Sequence, residues 1–224
     1  MSNRFISFDT ETTGLDFKDG DRVVEIGAVE ILGRDKTGKE YQTYLNPEGK
    51  EMSEGAAEIT NINNEQLKKA PKFKEVADEF IKFVKGAELI IHNAEFDLSH
   101  LNNELKIAGK ELINNEIIDT VILARDKFPG SSNSLDALCK RYRIDNSKRE
   151  KHTALIDCDL LSKVYINLID QKEPKLNFSN ERNENNLKVD TNVLYYKSVV
   201  KISDKEKKEH KEYLKNSLKK NFFN

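Results

Sequence analysis

The sequence predicts a mixed α/β fold: three antiparallel strands, then two parallel ones, in a sheet flanked by helices, with a C-terminal linker and helix. Three observations lead there. Three strand-like segments follow one another closely before Pro47. The apolar period then changes from two to that of a helix after Pro71. Beyond that point, short apolar runs alternate with helical stretches.

Arg4 to Thr10 is the first strand, with Phe5, Ser7, Asp9 and Glu11 on one side and Ile6, Phe8 and Thr10 on the other; Thr13-Gly14 breaks it. Val23 to Leu32, rich in β-branched residues, is the second. Gly33 to Gly38 reads as a turn, and Tyr41 to Leu45 as a third strand ending at Asn46-Pro47. Connections this short favour antiparallel pairing. After Pro71, Phe73, Val76, Ala77, Phe80, Ile81 and Val84 recur at helical spacing, with Gly86 as the stop. Glu88 to Ile91 is a short strand, Phe96 to Leu105 a helix, and Ile117 to Asp119 another strand. Leu123 to Phe128 and Leu135 to Tyr142 are short helices separated by Pro129-Gly130. A long helix from about Ala154 to Ile169 turns Ile156, Leu160, Leu161, Val164 and Leu168 inward.

Composition bounds the rest. Of the 224 residues, 37% are hydrophobic and 34% charged, polar enough that part of the chain should be a solvated extension. Residues 1–172 are expected to form the main domain, 173–192 a linker, and 193–224 a further segment. Ser203 to Glu206 fits a capping box for a helix to about Leu218, with His210, Tyr213, Leu214, Ser217 and Leu218 in one stripe. From Lys201 to Lys220 there are eight Lys against one Asp and three Glu. Such a helix beyond a linker suits docking on a partner; a solvated Lys-rich tail is the plainer reading. The net charge of −2 gives no global basic field, although a metal-centred site can hold phosphates without one. Cys139 and Cys158 read as buried free thiols. No apolar stretch of signal-peptide or membrane-span length is present, so the expectation is a soluble cytoplasmic protein with no membrane partner.

Three constellations carry chemistry. Asp9 and Glu11, two apart on a strand, point the same way at the end of an apolar run. Two carboxylates ~4 Å apart repel by a few kcal/mol at a surface-like dielectric, a cost that Mg²⁺ or Mn²⁺ would offset. His92-Asn93-Ala94-Glu95-Phe96-Asp97 follows a strand end, where ligand groups gather in α/β sheets. There Asp97 is either a ligand or a helix cap, and Phe96 either core or a stacking platform. In His152-Thr153-Ala154-Leu155-Ile156-Asp157, five residues on a helix turn about 140°, so the two side chains would not share a face. His152 is therefore placed in the loop ahead of the helix, with Thr153 as its cap. Lys148 to Lys151 reads as exposed and mobile. Asp157, among Ile156, Leu160 and Leu161, needs a partner if it is buried, and a metal site would supply one.

Together D-x-E-T-T-G, H-N-x-x-F-D and H-x-A-x-x-D resemble the DEDDh 3′→5′ exonucleases, with each acid and the His intact. Stretches such as Phe128-Pro129-Gly130, Asn133-Ser134-Leu135-Asp136-Ala137-Leu138-Cys139 and Tyr142 to Arg149 extend the resemblance, over about residues 4–170, to the epsilon (proofreading) subunits of bacterial DNA polymerase III. The resemblance implies a ribonuclease H-like fold and two-metal hydrolysis of a terminal phosphodiester, with Mg²⁺ or Mn²⁺ as the ions. By that likeness Asp9 bridges both ions, Glu11 and Asp157 complete the site of the attacking water, Asp97 supports the second ion, and His152 is the general base. A deoxynucleoside 5′-monophosphate is the implied product. Thr10, Leu15, Thr60, His92, Asn93 and Phe96 fall at positions that hold the terminal nucleotide. One departure is Ile59-Thr60-Asn61-Ile62, where the family usually has V-H-G-I and its His contacts the nucleotide.

Glu173-Pro174-Lys175-Leu176-Asn177-Phe178 resembles the sliding-clamp-binding peptide Q-x-x-L-x-F, with Glu173 in place of Gln and Leu176 and Phe178 as the apolar anchors. An incidental linker sequence is the alternative. Residues from Val193 onward resemble the epsilon region that docks on the polymerase (alpha) subunit. The implied partners are thus a DNA 3′ end, the alpha subunit, the sliding clamp and a small theta-like subunit, in a bacterial, nucleoid-associated replisome. Two rivals stand beside this reading: an RNA-trimming exonuclease on the same scaffold, and a non-catalytic structural subunit of the replicase.

Overall fold

In the computed structural model, residues 4–60, 62–147, 149, 152–170 and 202–216 are described. Five strands form one sheet in the order β3-β2-β1-β4-β5: β1 Arg4–Thr12, β2 Val23–Leu32, β3 Asp35–Tyr44, β4 Glu88–Ile91 and β5 Ile117–Asp119. β1, β2 and β3 pair antiparallel, whereas β4 runs parallel to β1, and β5 to β4. This is the ribonuclease H-like mixed sheet that the motifs imply.

The strand parity of β1 sorts the two cores. Ile6 and Phe8 pack with Leu89 and Ile91 against α3 (Phe73–Val84) and α4 (Ala94–Ile107). Phe5 faces the other way, with Ile31 and Ile90, onto α6 (Leu135–Tyr142) and α7 (Ala154–Asp170). The short α5, Thr120–Lys127, joins this second core through Ala124. The approach of α7 is close because Gly27 lies beneath its first turn: a Cβ at Gly27 would stand 2.3 Å from the Ala154 carbonyl carbon. Cys158 Sγ donates to Gly27 O, and Ser7 Oγ donates to Cys158 O, so the helix is hydrogen-bonded to the sheet as well as packed on it.

Two stretches differ from the sequence expectation. The turn after β2 is only Gly33-Arg34, and β3 begins at Asp35, six residues before the predicted start at Tyr41. Its first half, Asp35 to Glu40, is polar and exposed at the sheet edge, so no apolar alternation marks it. Gly38, taken as part of the turn, lies inside the strand at φ 82°, near a register shift between Val29 and Ile31. The segment between Asn46 and Pro71 holds two helices that the periodicity did not show, α1 (Glu54–Thr60) and α2 (Asn64–Leu67). They are short, and they bury a small separate cluster of Val24, Met52, Ile62 and Leu67.

The C-terminal helix α8 (Asp204–Asn216) belongs to a second unit, Lys175–Asn224. Its capping box forms as read: Ser203 Oγ accepts from Glu206 N, and the Glu206 carboxylate accepts from Ser203 N. Its described residues are exposed, apart from a half-buried Leu214. Ser217 and Leu218 of the expected stripe, and the clamp-like residues Glu173, Leu176 and Phe178, lie outside the described residues.

Candidate active site

The sheet register places the first carboxylates. Beyond Ser7, β1 has no β4 partner, because the last pair is Ser7 with Ile90. The end of β1 therefore lines a cleft where the chain leaves β4. Asp9 and Glu11 share the parity of Phe5 and Ser7 and so face α7, whose first turns carry Asp157. Thr10 faces the opposite way, where the buried Asp97 carboxylate accepts both its N–H (2.9 Å) and its Oγ–H (2.7 Å). Asp97 thus satisfies a backbone N–H of β1 beyond the end of its pairing with β4. One cavity of about 200 Å³ is lined by Asp9, Thr10, Glu11, His92, Asn93, Phe96, Asp97, Leu135, Arg149, His152 and Asp157.

Local hydrogen bonds hold the cleft's far wall. Asn93 adopts a left-handed conformation (φ 73°) that Asn tolerates, turning the chain from β4 into α4. The Asp119 carboxylate at the end of β5 accepts from Ala94 N and from Val121 N, tying the starts of α4 and α5 together. Thr120 Oγ donates to Ile91 O, so its contact with His92 Nδ1 at 2.9 Å requires a proton on Nδ1. Burial keeps the ring below its ordinary pKa, against a hydrogen bond to the Asn133 backbone and the charge of Asp119. A second cavity of about 550 Å³ shares His92 and Asn93 and offers Arg125, Ser131, Asn133 and Ser134.

His152 lies in the loop before α7, as its spacing from Asp157 demands, and its N–H donates to Ile59 O. Thr153 caps the helix through Oγ to Ile156 N. The buried Glu25 on β2, opposite Glu11 in the sheet, accepts from Ala154 N. Arg149 departs from the exposure expected of Lys148 to Lys151, the other three of which lie outside the described residues. Its side chain is 9% exposed and meets both oxygens of Asp157, Nε to Oδ1 at 2.6 Å and Nη2 to Oδ2 at 2.7 Å. Sequence reasoning missed Arg149, Glu25 and Asp119. An Arg three residues before His152, next to an Asp in need of a partner, was the available signal for the first.

Leu15 and Thr60 do not line the cavity. Leu15 is 85% exposed, whereas Thr60 is buried, its hydroxyl donating to Ala56 O and accepting from Ile62 N. Thr60, buried and with its one hydroxyl donor already used, is a poor replacement for the usual His.

The electrostatics favour cations. Asp9 keeps a partly exposed face toward the cleft, yet the protein packed around it, followed by Asp97 and Asp157, pushes its pKa well above the ordinary carboxylate range. Burial, then Asp157 and Glu25, raises Glu11 to about 8; burial raises Asp97 to about 7, against the hydrogen bonds from Thr10. Four carboxylates share this cavity with one guanidinium. Ligand atoms of Glu11, His152 and Asp157 lie within 4.8 Å of one another, a spacing one divalent ion could bridge. Oxygen-rich donors and uncompensated charge fit Mg²⁺ or Mn²⁺.

Residues 6–165 match the family model described as Exonuclease (RNase_T). The chain is 44% identical over 223 residues to the DNA polymerase III subunit epsilon of Rickettsia prowazekii, covering 95% of this chain and 96% of that one. It is 42% identical over 171 residues to the Escherichia coli K12 subunit of the same name, covering 73% and 70% of the two chains. In fold it resembles exonuclease X in complex with 5′ overhanging duplex DNA (TM-score 0.60, 24% identity, covering 75% of this chain and 92% of that one). It also resembles the nuclease domain of 3′hExo, a DEDDh family member bound to rAMP (TM-score 0.63, 18% identity, 75% and 92%).

Because protons compete with cations for raised carboxylates, Mn²⁺ affinity should rise from about pH 6 to about pH 9, with protons released on binding at pH 7. The same shift sets a stability slope. With Glu11 at about 8 instead of its ordinary 4.5, the folded chain keeps a proton that the unfolded chain loses between those values. The stability of the metal-free protein should fall as pH rises through that window. Calorimetric titration in buffers of different ionisation heat checks the first; pH-independent affinity without proton release would contradict it.

Proposed function

The chain belongs to the family of DNA polymerase III epsilon subunits, 3′→5′ exonucleases that proofread replication, and from the site we propose which of its residues perform the hydrolysis. Asp9, Glu11, Asp97 and Asp157 would hold two divalent ions, Mg²⁺ or Mn²⁺, with Asp9 central because the charges of both Asp97 and Asp157 act on it. When bound, such ions polarise the phosphodiester and make water nucleophilic at neutral pH. His152, half-exposed at the cavity mouth, takes the proton from that water. The water oxygen bonds to phosphorus as the P–O3′ bond breaks, leaving a shortened strand with a 3′-hydroxyl and releasing a nucleoside 5′-monophosphate. The observation that carries this reading is the convergence of all four carboxylates and His152 on one cavity. A non-catalytic subunit would have no use for that accumulation of like charge.

Substrate contacts follow from the walls. His92, Asn93 and Phe96 border the acidic cavity, where sugar, backbone and stacking contacts would accept any base. Leu15, exposed beside the strand end, is proposed as an apolar wedge against the terminal nucleotide. Thr60, its hydroxyl already committed, would contribute packing only.

The relatives' name also supports membership of the polymerase III assembly, in the compartment where that replicase works. Among the described residues, no helix is long and apolar enough to cross a membrane. Residues 193–224 are proposed to dock on the alpha subunit, and Glu173, Leu176 and Phe178 to engage the sliding clamp, with a small theta-like subunit as a further partner. The extent of the match, almost the whole length of the Rickettsia subunit, supports this over an RNA-trimming role.

With a mismatched primer as substrate, Asp9→Ala should abolish nucleotide release, and His152→Ala should lower the rate by about 10² to 10⁴ with little change in DNA binding. Wild-type turnover by His152→Ala at neutral pH would remove the assigned role. Equal hydrolysis of RNA and mismatched DNA would favour the trimming reading. For the clamp, a peptide of residues 173–178 should bind, and its Leu176→Ala, Phe178→Ala form should not; indistinguishable binding removes that contact.

A further inference from the structure

Every nitrogen of the Arg149 guanidinium has a partner at the cleft. Nε and Nη2 take the two oxygens of Asp157, Nη2 also lies 3.2 Å from His152 Nδ1, and Nη1 donates to Asp136 Oδ2 at 2.7 Å. Asp136, on the exposed side of α6, is itself held by Asn146 Nδ2. The backbone agrees, since Arg149 N donates to Asn146 O and fixes the side chain's point of departure. Two of the residues expected to act in hydrolysis are thus gripped by one side chain, anchored from outside the site.

That grip competes with a metal ion on Asp157. The bidentate guanidinium takes one in-plane lone pair of each carboxylate oxygen and sets a positive charge against both. A Mg²⁺ or Mn²⁺ ion, which its ligand oxygens must approach to about 2.1 Å, would meet that charge at close range. The same contact burdens His152. A guanidinium N–H can only donate, so Nδ1 is its acceptor, and a base whose lone pair is taken cannot accept a proton from water through that nitrogen.

We propose that Arg149 is a resident counter-cation that competes with the divalent ion for Asp157: it holds Asp157 and His152 in the metal-free enzyme, and releases both when the ion enters, pivoting on Asp136. The inference rests on the metal reading of the site given above. It makes Arg149 a positioning residue whose hold must be broken before the site is complete, so that the protein, rather than solvent, covers the acidic cleft between encounters with metal.

The test uses the full-length chain without DNA. Mn²⁺ is titrated calorimetrically into the wild type and into Arg149→Gln, and the exchange of the Arg149 Nε–H with solvent is followed by NMR in the wild type as Mg²⁺ is added. Arg149→Gln is expected to bind Mn²⁺ tighter by on the order of tenfold, since a competing charge is gone. The wild-type Nε–H, protected by Asp157, is expected to lose protection at Mg²⁺ saturation. Unchanged or weaker Mn²⁺ binding by a folded Arg149→Gln overturns the proposal, as does protection that persists at saturation. Should Arg149→Gln not fold, the wild-type NMR decides alone. If the wild type binds neither Mn²⁺ nor Mg²⁺, the metal reading itself fails, and this inference with it.

Discussion

Mutual repulsion among carboxylates is the constraint around which this molecule is arranged. Asp9, Glu11, Asp97 and Asp157 arrive from a strand and two helices at one small cavity, with Glu25 just behind. In metal-free form they are tolerated by protonation, since burial and neighbouring charge raise Asp9, Glu11 and Asp97, and by the Arg149 guanidinium. A fold has no stability to gain from such a cluster. Its presence makes sense through the cations it can hold, and the raised pKa of Asp9, Glu11 and Asp97 points the same way.

The scaffold resists that repulsion by fixing each acid's own element. The α7 helix cannot drift from the sheet, because Gly27 lets its first turn approach closely and the hydrogen bonds of Cys158, Ser7 and Ala154 bind it there. Asp97 is held by Thr10 on the strand that carries Asp9 and Glu11. The register of β1 divides the labour: one side chain of three faces α4 and its neighbours face α7, so both helices deliver an acid to the same strand end. A slip of one residue would turn Asp9 and Glu11 toward the other core.

Much of this was legible in the sequence because the signals were periodic or clustered. The alternation of β1 placed Asp9 and Glu11 on one face, and the angle between positions 152 and 157 on a helix put His152 in the preceding loop. What stayed hidden had physical reasons. The first half of β3 is an exposed polar edge held by backbone pairing, which leaves no apolar pattern. The α1 and α2 helices are too short to show a period. Arg149 stands in a run of charged residues that reads as solvent-facing, and only the fold brings Asp136 and Asp157 to its two ends. Glu25 looked like one polar position in a strand, whereas the sheet register sets it opposite Glu11.

The most direct measurement is the position of Mn²⁺ in crystals of this chain grown with Mn²⁺ and a nucleoside 5′-monophosphate, located by anomalous diffraction. The account predicts two ions in the one cleft, with Asp9 coordinating both and the remaining acids divided between them. Anomalous peaks elsewhere on the surface, with this cleft left free of metal at saturating Mn²⁺, would contradict it.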